Sequence, residues 1–202
     1  GGISADITDP ISEEQIKKSP VYCPDTHASN QMEEALKAAM TSGDSLGAVI
    51  ECRYMNVPVG LGDPVYEKLS ANIAKAMVSI PACKGVEFGS GFLCTQMLGS
   101  THNDIFCIND EGNILTSSNH AGGTLGGISN GMPIIFRVGM KPTSSIKKPQ
   151  PSISTDKTSC NLTLPENSRH DPCLAIRAVS VVEAMASIAI VDALLMDRLS
   201  KL

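Results

Sequence analysis

Tryptophan is absent from the chain, and Phe and Tyr together make up only 3% of it. The core must therefore be built from Ala, Val, Ile, Leu and Met, which suits tight helix and sheet packing more than aromatic stacking. No uninterrupted apolar run approaches the roughly 20 residues needed to cross a bilayer. No charged stretch followed by an apolar one marks a signal peptide. The expectation is a protein without membrane contact. The seven cysteines (23, 52, 83, 94, 107, 160 and 173) contain no C-x-x-C pair. An odd, dispersed set argues against a disulfide framework or a zinc site, and points to reduced thiols in a cytoplasmic protein. No metal-ligand spacing is found. The sequon at 161–163 is then an accident of composition. Basic residues are outnumbered, 16 to 21, for a net charge of −5. That balance excludes a general nucleic-acid surface. Only five arginines are present, so any anionic ligand must be held by a few local cations.

The 202 residues include 42% hydrophobic ones, enough for a substantial core. The first 24 residues carry short turn-rich pieces, among them Asp9-Pro10, Ser19-Pro20 and Cys23-Pro24. Met32, Leu36 and Met40 repeat every four positions and predict a helix over 29–42, stopped at Gly43. Residues 45–57 read as a strand ended by Pro58. A second helix is expected over about 65–80, with Leu69, Ile73, Met77 and Ile80 on one face. Strand character returns at 85–98. The polar stretch 99–120 reads as a mobile loop, 132–140 as a buried strand, and 141–159 as a loop rich in Pro, Ser, Thr and Lys.

The chain closes with a long helix from about Pro172 to Arg198. Asp171 is the expected N-cap, accepting from free first-turn amides, and Pro172 suits the first helical position. Between Ala178 and Met196 only Glu183 and Asp192 are charged. A helix apolar on nearly every side must be buried between other layers, so a helical layer covered on both faces is inferred, with sheets as its covers. No repeat or sharp composition shift marks a second domain.

Three clusters could carry chemistry. GGTLGGISNG at 122–131 has five glycines in ten residues, which permit close backbone approach to an anion or a planar ring. Its spacing fits neither a dinucleotide fingerprint nor a P-loop, since Ile128 stands where the Lys would follow. By spacing alone a structural turn is the stronger reading. KPTSS at 141–145 puts a cation and three hydroxyls in one turn, a combination suited to phosphate, although an ordinary solvated loop reads the same way. RHDPC at 169–173 sets Arg169 and Asp171 at the expected mouth of the closing helix. There Arg169 can bind an anion, and Asp171 can cap or act as a base. Of the histidines, His27 and His102 read as solvated, His120 as orienting the glycine loop, and His170 as structural or catalytic. No Ser-His-Asp order occurs.

Taken together, in this order and at these intervals, the clusters make the chain resemble chorismate synthase. The resemblance spans CPD at 23–25, SGDSLGA at 42–48, VPVGLGDPVYEKLSANIAKAMVSI at 57–80, KGVEFGSGF at 84–92, SNHAGGTLGGISNG at 118–131, KPTSS, and RHDPCLAIRAVSVVEAMA at 169–186. It implies an α+β fold, a β-α-β sandwich with a helical layer between antiparallel sheets, assembled as a homotetramer. It implies conversion of 5-enolpyruvylshikimate 3-phosphate to chorismate and phosphate, a 1,4-anti elimination closing the shikimate pathway of aromatic amino-acid biosynthesis. Reduced FMN is the implied cofactor, with NADPH as its reductant in the types that reduce their own flavin. The implied FMN contacts are Pro81, Ala82, Gly126, Lys141, Pro142, Thr143, Ser144, Ser145 and Arg169. Asp171 matches the acidic residue near flavin N5 and is the implied relay base. Pro81 stands where the family has Asn, and Ser168 where it has Gly.

The family's two catalytic histidines, in Gly-Glu-Ser-His and Arg-Pro-Gly-His contexts, and its Arg-Ser-Ser flavin loop have no counterpart here. The chain opens at a mid-sequence family position. Residues 1–202 are therefore expected to be the C-terminal portion of the enzyme, inactive when isolated. The alternative is a non-catalytic fragment serving only oligomerisation or partial flavin binding.

Overall fold

Helix boundaries in the protein follow side-chain chemistry, as seen in a computed structural model that describes residues 1–7, 11–165 and 167–200. The Asp9-Pro10 turn of the sequence reading lies outside these residues. Helix α1, Glu13–Lys18, was not apparent from the turn-rich N-terminal sequence. It starts from a capping box in which Ser12 and Gln15 bond each other's backbone. Helix α2, Thr26–Ser42, begins three residues before the expected 29 because Asp25 accepts from the His27 and Ala28 amides at 2.9 and 3.1 Å. It stops at Gly43, whose φ of 70° is left-handed. Strand β1 is Ala48–Tyr54, shorter at both ends than its sequence reading. Helix α3, Leu69–Val78, buries Leu69, Ile73 and Met77 completely, with Ile80 just beyond its end nearly so.

Strand β2, Cys83–Phe88, is followed by a 3-10 turn, Gly91–Gln96. The expected loop at 99–120 holds more structure than its polarity suggests. Helix α4 is Gly99–His102, and strands β3, Phe106–Ile108, and β4, Ile114–Thr116, form an antiparallel hairpin. Strands β5, Thr124–Leu125, and β6, Ile128–Ser129, pair antiparallel. Strand β7, Ile134–Met140, buries alternate residues, so only one of its faces is fully covered. The order β1-β7-β2 makes a three-stranded sheet. Within 141–159, expected to be loop throughout, strand β8, Gln150–Ile153, pairs antiparallel with β9, Ser159–Leu162. Helix α5 is Ala175–Ser200. Helices combined with antiparallel pairs make the class α+β.

The chain divides into two compact units, Gly1–Ala48 with Met140–Val179, and Val49–Gly139 with Ser180–Leu202. Each is assembled from separated stretches, which explains why no shift in composition marks a boundary.

Two expectations for α5 are corrected. Its start lies three residues later than Pro172, and the first-turn amides of Arg177 and Ala178 bond the Leu174 carbonyl. Asp171 is therefore not its cap. Nor is α5 covered on both faces among the described residues. Ala178, Val182, Ala186 and Ile190, four residues apart, form a single buried stripe. Val181, Ile188, Val191, Leu195, Met196 and Leu199 stay exposed. By length and composition α5 is also able to cross a membrane. This differs from the expectation that no apolar run is long enough to span, since Glu183 and Asp192 fall within the helix.

Candidate functional site

In the first unit the segment after β7 and the segment before α5 are joined by hydrogen bonds. Gly47 makes room for the turn. A Cβ there would stand 2.8 Å from the Met140 carbonyl oxygen and 3.1 Å from Pro142 Cδ. The Ser45 hydroxyl donates to the Thr143 carbonyl at 2.6 Å. The Thr143 hydroxyl donates in turn to the Asp171 carbonyl at 3.1 Å, and the Leu46 amide donates to the Pro172 carbonyl at 2.7 Å. One of the three expected phosphate-facing hydroxyls therefore holds the second segment instead. Lys141, Pro142, Ser144 and Ser145 are exposed, and so is Arg169.

Beside this junction, Met40, Lys147, Ser168, Arg169, His170, Asp171 and Arg177 line a cavity of about 500 Å³. Arg177 lies 3.3 Å from the Asp171 carboxylate. His170 Nδ1 is buried without a hydrogen-bond partner. Three cations around one carboxylate can hold an anion while leaving a group able to take a proton. Arg169 and Asp171 are brought together as expected. Lys147, Arg177 and Met40 were not anticipated. Lys147 followed KPTSSI too ordinarily to stand out, and Arg177 is a helix residue whose direction sequence spacing does not give. Contrary to expectation, the anion site does not stand at a helix mouth, since α5 begins at Ala175.

The other expected contacts belong to the second unit. The Cys83 amide bonds the Ile80 carbonyl at 3.1 Å, closing a turn with Pro81 and Ala82 at its centre. Ala82 has φ of 69°, a position that normally takes Gly in a turn of this kind. Gly126 and Gly127 form the two-residue turn between β5 and β6 with φ of 62° and 96°, a primed hairpin turn. Gly126 is exposed, and a Cβ placed on it would meet nothing within 4 Å. Its backbone is open to a ligand.

The approach to this turn is held by Asp104, which is 4% exposed. Its carboxylate accepts from the Ser118 hydroxyl at 2.7 Å and from the His120 and Ala121 amides at 2.8 Å each. Burial pushes the Asp104 carboxyl up, but the Ala121, Ser118 and His120 donors outweigh it and hold it below the usual range. The His120 ring bonds the Ser90 hydroxyl at 2.8 Å, outside the glycine loop it was expected to orient. His102, expected to be simply solvated, stacks on His120 with centroids 5.5 Å apart. Gly89 permits this packing, for its Cβ would stand 2.0 Å from the His120 carbonyl oxygen. Among the described residues no group of three His, Cys, Asp or Glu could hold a metal.

A family model described as chorismate synthase matches residues 2–195. The chain is 53% identical over 194 residues to the chorismate synthase of Protochlamydia amoebophila, covering 96% of this chain and 52% of that protein. It is 48% identical over 181 residues to the chorismate synthase of Opitutus terrae, covering 90% and 49%. A crystal structure of chorismate synthase is similar with a TM-score of 0.73 at 32% identity, covering 91% of this chain and 47% of that one. The chain spans about half the length of the curated relatives it matches.

Proposed function

The chain belongs to the chorismate synthase family, and on that premise we propose that it forms part of an FMN-dependent lyase. The reaction is conversion of 5-enolpyruvylshikimate 3-phosphate to chorismate and phosphate. The supporting observation is the junction in the first unit, where the Thr143 hydroxyl ties the Lys141–Ser145 turn to the Asp171 backbone beside the Arg169 cavity.

Within each unit taken by itself, the residues present suit one part of reduced FMN. The exposed Lys141 ammonium and the Ser144 and Ser145 hydroxyls suit a phosphoryl group, and Arg169 suits a second anionic centre. In the second unit, the bare backbone at Gly126 and the turn at Pro81-Ala82 suit close approach of a planar ring. The chemistry reduced FMN supplies when bound is transient electron donation that assists departure of phosphate. Arg169 neutralises the anion it meets. Asp171, already oriented by Arg177, takes up the proton lost in the elimination.

The catalytic histidine motifs of the family are absent from this sequence, so turnover requires a complementary half that carries them. The uncovered apolar face of α5 supports the same reading, with that half as its cover. On this account α5 is a core helix and not a membrane span. The complete enzyme is read as a cytoplasmic homotetramer that engages neither nucleic acid nor membrane, consistent with the net charge of −5.

The test is chorismate formation with reduced FMN under anaerobic conditions. The chain alone should give negligible product, and adding the N-terminal half of a curated relative should restore it. In the restored mixture Asp171→Asn should lower the rate at least tenfold. Full turnover by the chain alone would overturn the need for the missing histidines, and an undiminished Asp171→Asn rate would remove Asp171 from the mechanism.

A further inference from the structure

Next to the Gly126-Gly127 turn lies the one markedly strained valine of the described chain. Val65 has φ of 83°, a left-handed value that a β-branched residue rarely adopts. It turns the chain so that Tyr66 stands 87% exposed. The surroundings impose this conformation. The Asp63 amide bonds the Glu67 carbonyl at 3.0 Å across the tip, and the Leu69 amide bonds the Gly127 carbonyl at 2.9 Å. On the near side, the fully buried Ser129 donates its hydroxyl to the Pro58 carbonyl at 2.5 Å and accepts from the Leu61 amide at 2.8 Å.

The residues on either side of the tip meet the glycine turn. A Cβ on Gly127 would stand 2.8 Å from Lys68 Cγ and 3.3 Å from Pro64 Cα, the residues flanking the Val65-Tyr66-Glu67 tip. Gly126, one residue earlier, faces open space. Backbone strain fixed from both sides persists where the geometry serves a ligand or a contact. Here it holds one of the chain's three tyrosines in water, beside a bare backbone surface.

We propose that Tyr66 is a ligand-contacting residue of the flavin site, its ring packing against the planar ring system that rests on Gly126, with strained Val65 as its support. This rests on the reading of Gly126 as a flavin contact. Aromatic rings recognise flat heteroaromatic ligands through stacking, at about 1–3 kcal/mol per ring removed. Losing about 1.4 kcal/mol, toward the lower end of that range, is tenfold in affinity. Tyr66 is 87% exposed, so its replacement should leave the fold intact.

The experiment is a fluorescence titration with oxidised FMN, on the chain alone and on the chain with a relative's N-terminal half. Tyr66→Ala should raise the dissociation constant about tenfold. Tyr66→Phe should stay within about twofold of the parent. Melting temperatures of both variants should match the parent. Gly126→Val separates the two readings. If Gly126→Val weakens binding and Tyr66→Ala does not, the flavin reading of Gly126 stands and the role of Tyr66 is overturned. If neither changes binding, or the parent binds no FMN in either setting, the underlying reading fails and this inference with it. A Tyr66→Ala change in oligomeric state at unchanged FMN affinity would make the tip a subunit contact and overturn the proposal.

Discussion

The two units bury different kinds of residue. In the first, the buried apolar set is Cys23, Ala28, Ala39, Met140, Cys173, Ala175 and Ala178, nearly all small. In the second it includes Ile50, Leu61, Leu69, Ile73, Met77, Ile134, Phe136, Val138 and Val182. Fully burying a branched aliphatic or Phe contributes about 1.5–3 kcal/mol, and Ala far less. The first unit therefore leans on polar links, such as Ser45 to Thr143 at 2.6 Å and Lys148 to Asp44 at 2.7 Å. It also carries Lys141 and Arg169, which are exposed, and Asp171, which is half-buried. A segment held by its backbone keeps its side chains free for a ligand, whereas a segment held by its side chains does not.

The sharpest way to break this contrast is in the second unit. Ile73→Ala, at a fully buried position, should lose about 3 kcal/mol in urea unfolding, and a loss below about 1 kcal/mol would deny that unit its aliphatic core. Asp104 comes next, at about 2 kcal/mol for Asp104→Ala, because buried donors lose their acceptor. Its pH signature has a definite sign. The folded carboxyl lies below its ordinary value, so its contribution is present above the unfolded pKa of about 3.9 and is lost as pH falls through the folded value. The melting temperature should stay level from about pH 7 to 5 and fall below about pH 4, less steeply in Asp104→Asn.

Effects in the first unit should be smaller. Thr143→Val removes the hydroxyl that holds the Asp171 carbonyl, for about 1 kcal/mol. Asp171→Asn should change stability by no more than about 0.5 kcal/mol, since Arg177 in that ion pair is 75% exposed. An Asp171→Asn loss as large as that of Ile73→Ala would make Asp171 structural and erase the distinction between the units. Smallest of all, iodoacetamide at pH 8 should label Cys94, Cys107 and Cys160, which are exposed. Cys52 should stay unlabelled, its thiol pushed up to about 11 by burial, then by Glu183 and Glu51.

Much of the second unit was legible because its core follows period. Leu69, Ile73, Met77 and Ile80 fixed α3 by spacing alone, and all four are buried. The hairpin at 106–116 was not legible. Phe106, Ile108 and Ile114 are exposed, so no alternation of burial marks its strands. Its anchor, Asp104, accepts from residues up to 17 positions away, a distance no local pattern reports. The start of α5 was misplaced for a related reason. Asp171-Pro172 is good cap chemistry, but the Pro172 carbonyl is taken by Leu46 and the Asp171 carbonyl by Thr143. Long-range partners overruled a local signal. For the site, the order of KPTSS and RHDPC was readable, whereas the neighbours Lys147 and Arg177 came only with the fold.

The outer face of α5 has a practical consequence. Val181, Ile188 and Leu195 fall seven residues apart with Val191 between the last two, forming an oily seam on a protein of net charge −5. Purified by itself, the chain should bind naphthalene-sulfonate dyes brightly, cling to phenyl resin, and salt out early. Each of these nuisances is also an assay, because the dye signal should fade in proportion as the seam finds its cover.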